Sequence, residues 1–275
     1  MTDSPLSDVA VVTTACWRPY YLEQTLGAWA DVRGIEQTVK FVIALGDSPR
    51  KAEALAVIAA FQARVDLPVH ILEDDGKIGP WRAIANAGNN AFADPEVGFL
   101  IVCDEDTLVA DDVLDLLMWE RSQFENDPRV LLVNAHSRCA QGWDGPGVKD
   151  DPDADPAVVR LMPYFNQWGW GTWRECWEQV LIPGWDYDGS SGHPMRSGHD
   201  WNIQLRTMRG FLAAVPDASR TQHIGDREGM FSNEQTLAWS KAASFREHRE
   251  RAAYRLEDAD PAVLAEIERL NRDPA

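Results

Sequence analysis

Nowhere in this 275-residue chain is there an apolar run near the roughly 18 residues that a membrane-spanning helix requires. Met1 to Pro5 is polar and acidic, with no basic stretch and apolar run after it, so neither a span nor a cleaved leader is expected. Positive charge is also scarce: 26 Lys and Arg stand against 44 Asp and Glu, a formal net charge of −18. A surface that as a whole seeks nucleic acid or anionic lipid is disfavoured, and any anionic partner must be met by local devices. The four cysteines, Cys16, Cys103, Cys139 and Cys176, form no CxxC pair. Neither a zinc site nor a dense disulfide framework is signalled, and a reducing cytoplasm is the simplest compartment. No internal repeat is evident, and no glycine-rich phosphate loop follows the first predicted strand, where Ala15-Cys16-Trp17-Arg18-Pro19 stands. Asp151 to Asp155 superficially suggests a calcium loop, but Pro156 stands where the turn glycine belongs and Met162 where the bidentate glutamate belongs.

What the chain does have is a buried-looking strand that runs into acid. Val97 to Cys103 is apolar in six of seven positions and is followed by Asp104-Glu105-Asp106. A continuous apolar run of this length predicts a strand buried on both faces, as in a parallel sheet covered by helices. Three neighbouring carboxylates repel one another, and a divalent cation or a set of donors would neutralise them. In open α/β sheets ligands bind at the carboxyl ends of strands, where these acids lie. Asp111 and Asp112 follow at an expected helix start, where carboxylates favour the helix dipole in any protein.

The rest alternates. Val9–Thr14, Val39–Leu45, Val69–Glu73 and Val130–Asn134 read as strands; Pro19–Trp29, an alanine-rich segment through about Arg64, Trp81–Phe92 and Ala110–Glu125 read as helices. The order predicts a doubly wound, mostly parallel α/β sheet, to which Leu212–Pro216 adds a short strand. Arg18, in the first strand-to-helix turn, is either an anion partner or an exposed solubilising arginine. Asp47, at the end of the second strand, could hold a ribose or base edge or merely form the turn. Gln141 to Asp155, rich in Gly, Pro and Asp, reads as a loop able to close over a ligand. Seven of the twelve tryptophans fall between Trp143 and Trp201. Trp177 is expected in the core, spaced four from Trp173 on a helix, whereas the glycines around Trp168 and Trp170 bring backbone close to something, so that these rings could hold a sugar or a base. After Trp239, charges alternate at helical spacing, as in a surface helix or a partly disordered tail.

Taken in order, Val12 to Pro19, the Asp104-Glu105-Asp106 strand end, Gly169-Trp170-Gly171 with Arg174 to Trp177, His199-Asp200-Trp201, and Pro216 to Gly225 resemble the GT-A-fold glycosyltransferases related to the N-acetylglucosaminyltransferase I family. That resemblance implies a Rossmann-like GT-A fold with a tryptophan-rich acceptor-side half. It implies one two-lobed domain over residues 1–240, with 9–134 binding the nucleotide and 135–240 facing the acceptor, followed by a helical tail at 241–275. It further implies an inverting transfer from a UDP-sugar, with Mn²⁺ or Mg²⁺ as cofactor and a hexosyl or N-acetylhexosaminyl group as cargo. Residue by residue, it puts Asp106 on the metal, Asp104 and Glu105 at the donor sugar and ribose, Arg18 near the nucleotide, and Asp200 in the role of catalytic base. The triplet here is Asp-Glu-Asp and His199 replaces the first acid of an Asp-Asp-Trp segment, which leaves the donor sugar open. Trp170 and Asp47 are further candidates for donor contact, and His223 is either a metal or phosphate contact or a cap on a buried turn. The acceptor could be a glycan, a small molecule, a protein or a hydroxylated DNA base. A sugar nucleotidyltransferase would want the missing glycine-rich loop, and a non-catalytic sugar-binding module would not need both the acidic triplet and Asp200.

The chemistry is consistent: a diphosphate leaving group needs a hard cation on carboxylate oxygens, and the acceptor hydroxyl needs a positioned base. At a helix start, Asp200 could equally be an N-cap worth about 1 kcal/mol, a role asparagine also fills. Asp200→Asn is therefore expected to keep folding and donor binding nearly intact while lowering turnover on the order of 10²-fold or more, measured by steady-state kinetics beside thermal denaturation; wild-type turnover would return Asp200 to the capping role.

Overall fold

The computed structural model describes residues 6–74, 79–137, 151–185, 210–228 and 241–272. Asp200 and its neighbours, and residues 141–150 of the glycine- and proline-rich loop, lie outside them.

The alternation expected from the sequence is present: β1 (Val9–Ala15), α1 (Pro19–Ala30), β2 (Lys40–Leu45), α2 (Lys51–Gln62), β3 (Val69–Glu73), α3 (Pro80–Phe92), β4 (Phe99–Cys103), β5 (Thr107–Val109), α4 (Val113–Phe124) and β6 (Val130–Asn134). Beyond these come β7 (Val158–Met162), β8 (Trp170–Trp173), α5 (Arg174–Cys176) running into a π turn at Trp177–Leu181, β9 (Leu212–Pro216), β10 (Thr221–His223), β11 (Arg255–Glu257) and α6 (Pro261–Arg272). Among the described residues, nine strands form one sheet in the order β11-β7-β9-β6-β8-β4-β1-β2-β3, and β5 pairs with β10 in a separate two-stranded ribbon. β1 to β4, β6 and β9 run in one direction; β7, β8 and β11 run against them. The result is a mixed, mostly parallel sheet flanked by helices.

Strand periodicity sorts the side chains into two layers. Val9 and Val11 of β1 join Leu22, Leu26 and Trp29 of α1, Ile58 of α2 and Leu117 of α4 on one face. Ala10 and Val12 join Ile84 and Ala87 of α3, Trp170, Trp177 and Ile267 of α6 on the other. All five residues of β4 are buried, as its unbroken apolar run predicts. Full burial of each large aliphatic side chain stabilises the fold by about 1.5–3 kcal/mol.

Two elements differ from the sequence expectation. Trp173 lies on strand β8 rather than on the helix that carries Trp177, so the four-residue spacing is not a helical pair. β8 inserts antiparallel between β4 and β6, with its four residues buried. The C-terminal part adds β11 to the edge of the sheet before its helix, and Tyr254 packs its ring on Trp119 of α4 at 5.6 Å.

β10 is anchored by a fully buried ion pair: Arg220 Nε donates to Asp112 Oδ2 at 3.0 Å, and its terminal nitrogens donate to the Ala218 and Pro156 carbonyls at 2.7 Å. Breaking such a pair from one side costs about 3–5 kcal/mol, which makes the start of β10 a rigid point. On α4 nearby, Glu120 is fully buried and neither carboxylate oxygen has a hydrogen-bond partner among the described residues. Burial pushes its carboxyl well above the usual carboxylate range, and Arg220 only partly opposes this. Because the folded state then holds a proton that the unfolded chain releases near pH 4.3, stability falls as pH rises above that value. Glu120→Gln, neutral at every pH, is expected to gain stability over wild type at pH 8 compared with pH 5, read from urea denaturation at both; an equal difference at the two pH values would refute the buried-acid assignment.

Candidate active site

The acidic turn between β4 and β5 lies at the carboxyl edge of the sheet. Glu105 and Asp106 are only 6% and 4% exposed, so their charges must be met by the protein itself. Glu105 Oε2 accepts from the Cys16 amide at 2.7 Å and Oε1 from Arg18 Nε at 2.9 Å. Arg18 Nη1 lies 2.7 Å from Asp106 Oδ2, and His223 Nε2 lies 3.3 Å from that same oxygen. The main chain is clamped as well: Thr25 Oγ1 donates to the Glu105 carbonyl at 2.7 Å, and the Ile224 amide to the Asp106 carbonyl at 2.8 Å.

Local structure explains the convergence. β1 and β4 are parallel neighbours, so the turn after β1, which carries Cys16 and Arg18, opens beside the turn after β4. β10 pairs antiparallel with β5 and sets His223 opposite Thr107, one residue past Asp106. Burial raises the Glu105 carboxyl above its ordinary range against the pull of Arg18. For Asp106 burial works in the same direction, but the contacts with His223 and Arg18 outweigh it and hold the group below its ordinary range. Arg18 is correspondingly held in its charged form, since Asp106 and Glu105 overcome the cost of its burial. The Cys16 thiol is pushed up to about 11, by burial first and then by Glu105 and Asp47, so it is no nucleophile at neutral pH.

The candidates from the sequence divide accordingly. Arg18, Glu105, Asp106 and His223 form one cluster, and Asp104, half-buried, opens the same turn. Asp47 is exposed at the end of β2, its carbonyl 3.8 Å from Cys16 Sγ. Trp17, 49% exposed, stands between Cys16 and Arg18 in the turn after β1. Trp170 is not in the cluster: it is fully buried, stacked on Trp177 at 6.5 Å and edge-on to Phe165 at 5.4 Å. That placement corrects the expectation of donor contact, because an indole sealed in the core offers no face to a ligand. The aromatic ring beside the acids is Trp168, tilted on the His223 imidazole at 5.1 Å and edge-on to His136 at the same distance. Gly169, with φ of +94°, turns the chain so that Trp168 and Trp170 end in different environments. The glycine between the two tryptophans was the available signal. The pairing of the Tyr21 hydroxyl with Asp226 carried none, and Gly225, the last residue of the Pro216 to Gly225 motif, lies with its backbone against Asp106 and His223.

Among the described residues no group of three or more His, Cys, Asp or Glu side chains is arranged to hold a metal by itself. The donor set nonetheless suits a hard divalent ion that takes its other ligands from phosphate and water, since such ions are commonly held by one or two protein groups plus substrate. Asp106 Oδ2 and His223 Nε2 face each other beside Gly225, where an added Cβ would collide with the first and lie 2.9 Å from the second.

No family model and no curated protein matches the chain. Solved structures do. The mannosyltransferase PcManGT from Pyrobaculum calidifontis, in complex with GDP-Man and Mn²⁺, aligns with a TM-score of 0.54 and 18% identity over 83% of this chain and 59% of that one. The chain shares its mixed, mostly parallel α/β fold with that structure. TarS 1-349 from S. aureus aligns with a TM-score of 0.51 and 15% identity over 79% of this chain and 60% of that one. Its complex with UDP aligns at the same TM-score and identity, over 78% and 59%. This chain thus spans about three fifths of the length of these three structures.

The close approach of Gly225 to the acids generates a specific expectation. Gly225→Ala should fold, since its backbone is not in the left-handed region, yet push Asp106 and His223 apart and weaken UDP binding in Mn²⁺ at least about tenfold by calorimetry. Unchanged affinity would place the ligand elsewhere.

Proposed function

We propose that this chain is a metal-dependent glycosyltransferase that moves a hexosyl or N-acetylhexosaminyl group from a UDP-sugar to an acceptor hydroxyl with inversion. The observation that carries the reading is the meeting of Arg18, Asp106 and His223 at the carboxyl edge of β4, where a diphosphate is the complementary ligand. The GDP-Man and Mn²⁺ of one structural neighbour and the UDP of another support it. So does the combined resemblance of the motifs to the N-acetylglucosaminyltransferase I family.

In this reading Asp106 and His223 hold the divalent ion, Mn²⁺ or Mg²⁺, which when bound neutralises the diphosphate leaving group as a Lewis acid. Arg18 binds a phosphate through its planar fork, a geometry that lysine does not reproduce. Glu105, fixed by Cys16 and Arg18, holds the turn and faces the ribose side, with Asp104 and Asp47 toward the donor. Trp168 keeps the His223 ring oriented. Asp200, outside the described residues, takes the proton of the acceptor hydroxyl. Residues 141–150, likewise outside them, belong to the loop proposed to close over the donor. Residues 1–240 form the two-lobed catalytic domain and 241–275 its tail, whose β11 completes the sheet. The cytoplasm is the proposed compartment, supported by the unpaired thiols of Cys16, Cys103 and Cys176. Among the described residues no helix is long and apolar enough to cross a membrane.

The test is nucleotide binding with and without cation. UDP is expected to bind weakly in EDTA and at least about tenfold more tightly in Mn²⁺, because an acidic turn that Arg18 offsets only in part repels a diphosphate. Asp106→Ala should abolish that difference, and wild-type enzyme should slowly hydrolyse one member of a UDP-sugar panel. Equal UDP affinity in EDTA and Mn²⁺ would overturn the metal-dependent reading.

A further inference from the structure

One carboxylate oxygen serves two groups that a bound cation would not tolerate together. Asp106 Oδ2 is 2.7 Å from Arg18 Nη1 and 3.3 Å from His223 Nε2. A divalent ion on Asp106 and His223 would therefore enter a space bordered by a fixed positive charge, on an oxygen already engaged by that charge. Like charges in a poorly solvated site exclude each other. Arg18 is no loose surface side chain: it is 14% exposed, anchored to Glu105 at 2.9 Å, with its guanidinium carbon 5.3 Å from the centre of the Tyr21 ring. The arrangement sets one guanidinium against two buried carboxylates, so the acidic pair is only partly neutralised.

We propose that Arg18 is a displaceable internal counterion, which keeps divalent cations off Asp106 until the diphosphate of the donor draws the guanidinium away. This deepens the donor-site reading above and rests on it. A guanidinium matches a phosphate as well as it matches a carboxylate, so a diphosphate arriving at the mouth offers Arg18 an equivalent partner. Asp106 Oδ2 then becomes available as the phosphate oxygens supply the remaining ligands. Cation and nucleotide thus enter together, and each tightens the other by the same factor, as linkage requires. Free cation alone leaves the site in its arginine-closed form.

Calorimetry with Mn²⁺ and UDP on the full-length chain tests this, with Mn²⁺ electron paramagnetic resonance as a direct count of bound ion. In wild type, Mn²⁺ alone is expected to bind weakly. Arg18→Gln should bind Mn²⁺ alone about tenfold more tightly, within the 5–150-fold range of ordinary site coupling, yet gain nothing when UDP is present, so that the cooperativity factor shrinks. If Arg18→Gln binds Mn²⁺ alone no better than wild type while UDP and Mn²⁺ still bind together, the arginine is a structural strut and the proposal fails, although the donor site stands. If neither protein binds Mn²⁺ even with UDP, both the proposal and the donor-site reading fall. Should Arg18→Gln not fold, the Arg18 Nε resonance of wild type decides: it is expected to stay in place with Mg²⁺ alone and to shift with Mg²⁺ and UDP, and a resonance unmoved by saturating Mg²⁺ and UDP would overturn the displacement.

Discussion

Two carboxylates removed from water at the end of a buried strand set the terms for this part of the molecule. Each such ion carries a desolvation penalty of several kcal/mol unless donors and opposite charge meet it on the spot. Glu105 and Asp106 are met by groups from two distant stretches, the Cys16 amide and Arg18 after β1 and His223 at the end of β10. Both stretches are in turn held by their own anchors. The β1 turn is secured by the pairing of β1 between β2 and β4, and β10 by the β5 ribbon and the buried Arg220–Asp112 pair. Cohesion at this edge is the reason why a strand of only three residues, β10, can present an imidazole to the acids.

The same constraint bears on chemistry. With 44 acidic and 26 basic residues, the chain as a whole repels anions, so the proposed binding of a nucleotide falls to a few charges held at one edge. In that proposal Arg18 serves because it is held against carboxylates in its charged form. One guanidinium offsets only part of the charge of the buried carboxylates, and a divalent ion arriving together with a diphosphate would add the positive charge that the diphosphate requires. Charge, more than shape, links this geometry to the proposed transfer.

Regular elements were legible where the chain repeats one environment over several residues. β1 to β4, β6 and β9 and the first four helices could be read from runs and periodicity to within a few residues. The short strands were not. β5 and β10 have three residues each and β8 has four, too few for a period to show, and Trp170-Gly171-Thr172-Trp173 carries a composition that equally suits a ligand-facing loop. Its place in the middle of the sheet comes from pairing with β4 and β6, a long-range fact. The tail resisted reading for a similar reason, since an edge strand such as Arg255–Glu257 shows no buried run of its own.

For the site, the sequence by itself determined that three acids end a buried strand, that an arginine follows the first strand, and that a histidine lies in a polar segment near the end of the fold. Those are local facts of composition and order. Only the tertiary structure decided which of them touch: that Arg18 spans Glu105 and Asp106, that His223 shares the same Asp106 oxygen, and that Trp168 rather than Trp170 lies beside them. The two tryptophans differ by two positions, a spacing that would keep both on one face of a regular strand. Gly169, at φ of +94°, breaks that alternation just before β8 begins, so Trp170 turns into the core and Trp168 toward His223. Sequence order sets which side chains are available, but contact between residues separated by 88 and 117 positions along the chain, as for Arg18 with Asp106 and Asp106 with His223, is set by strand pairing and by the need of buried charges for partners.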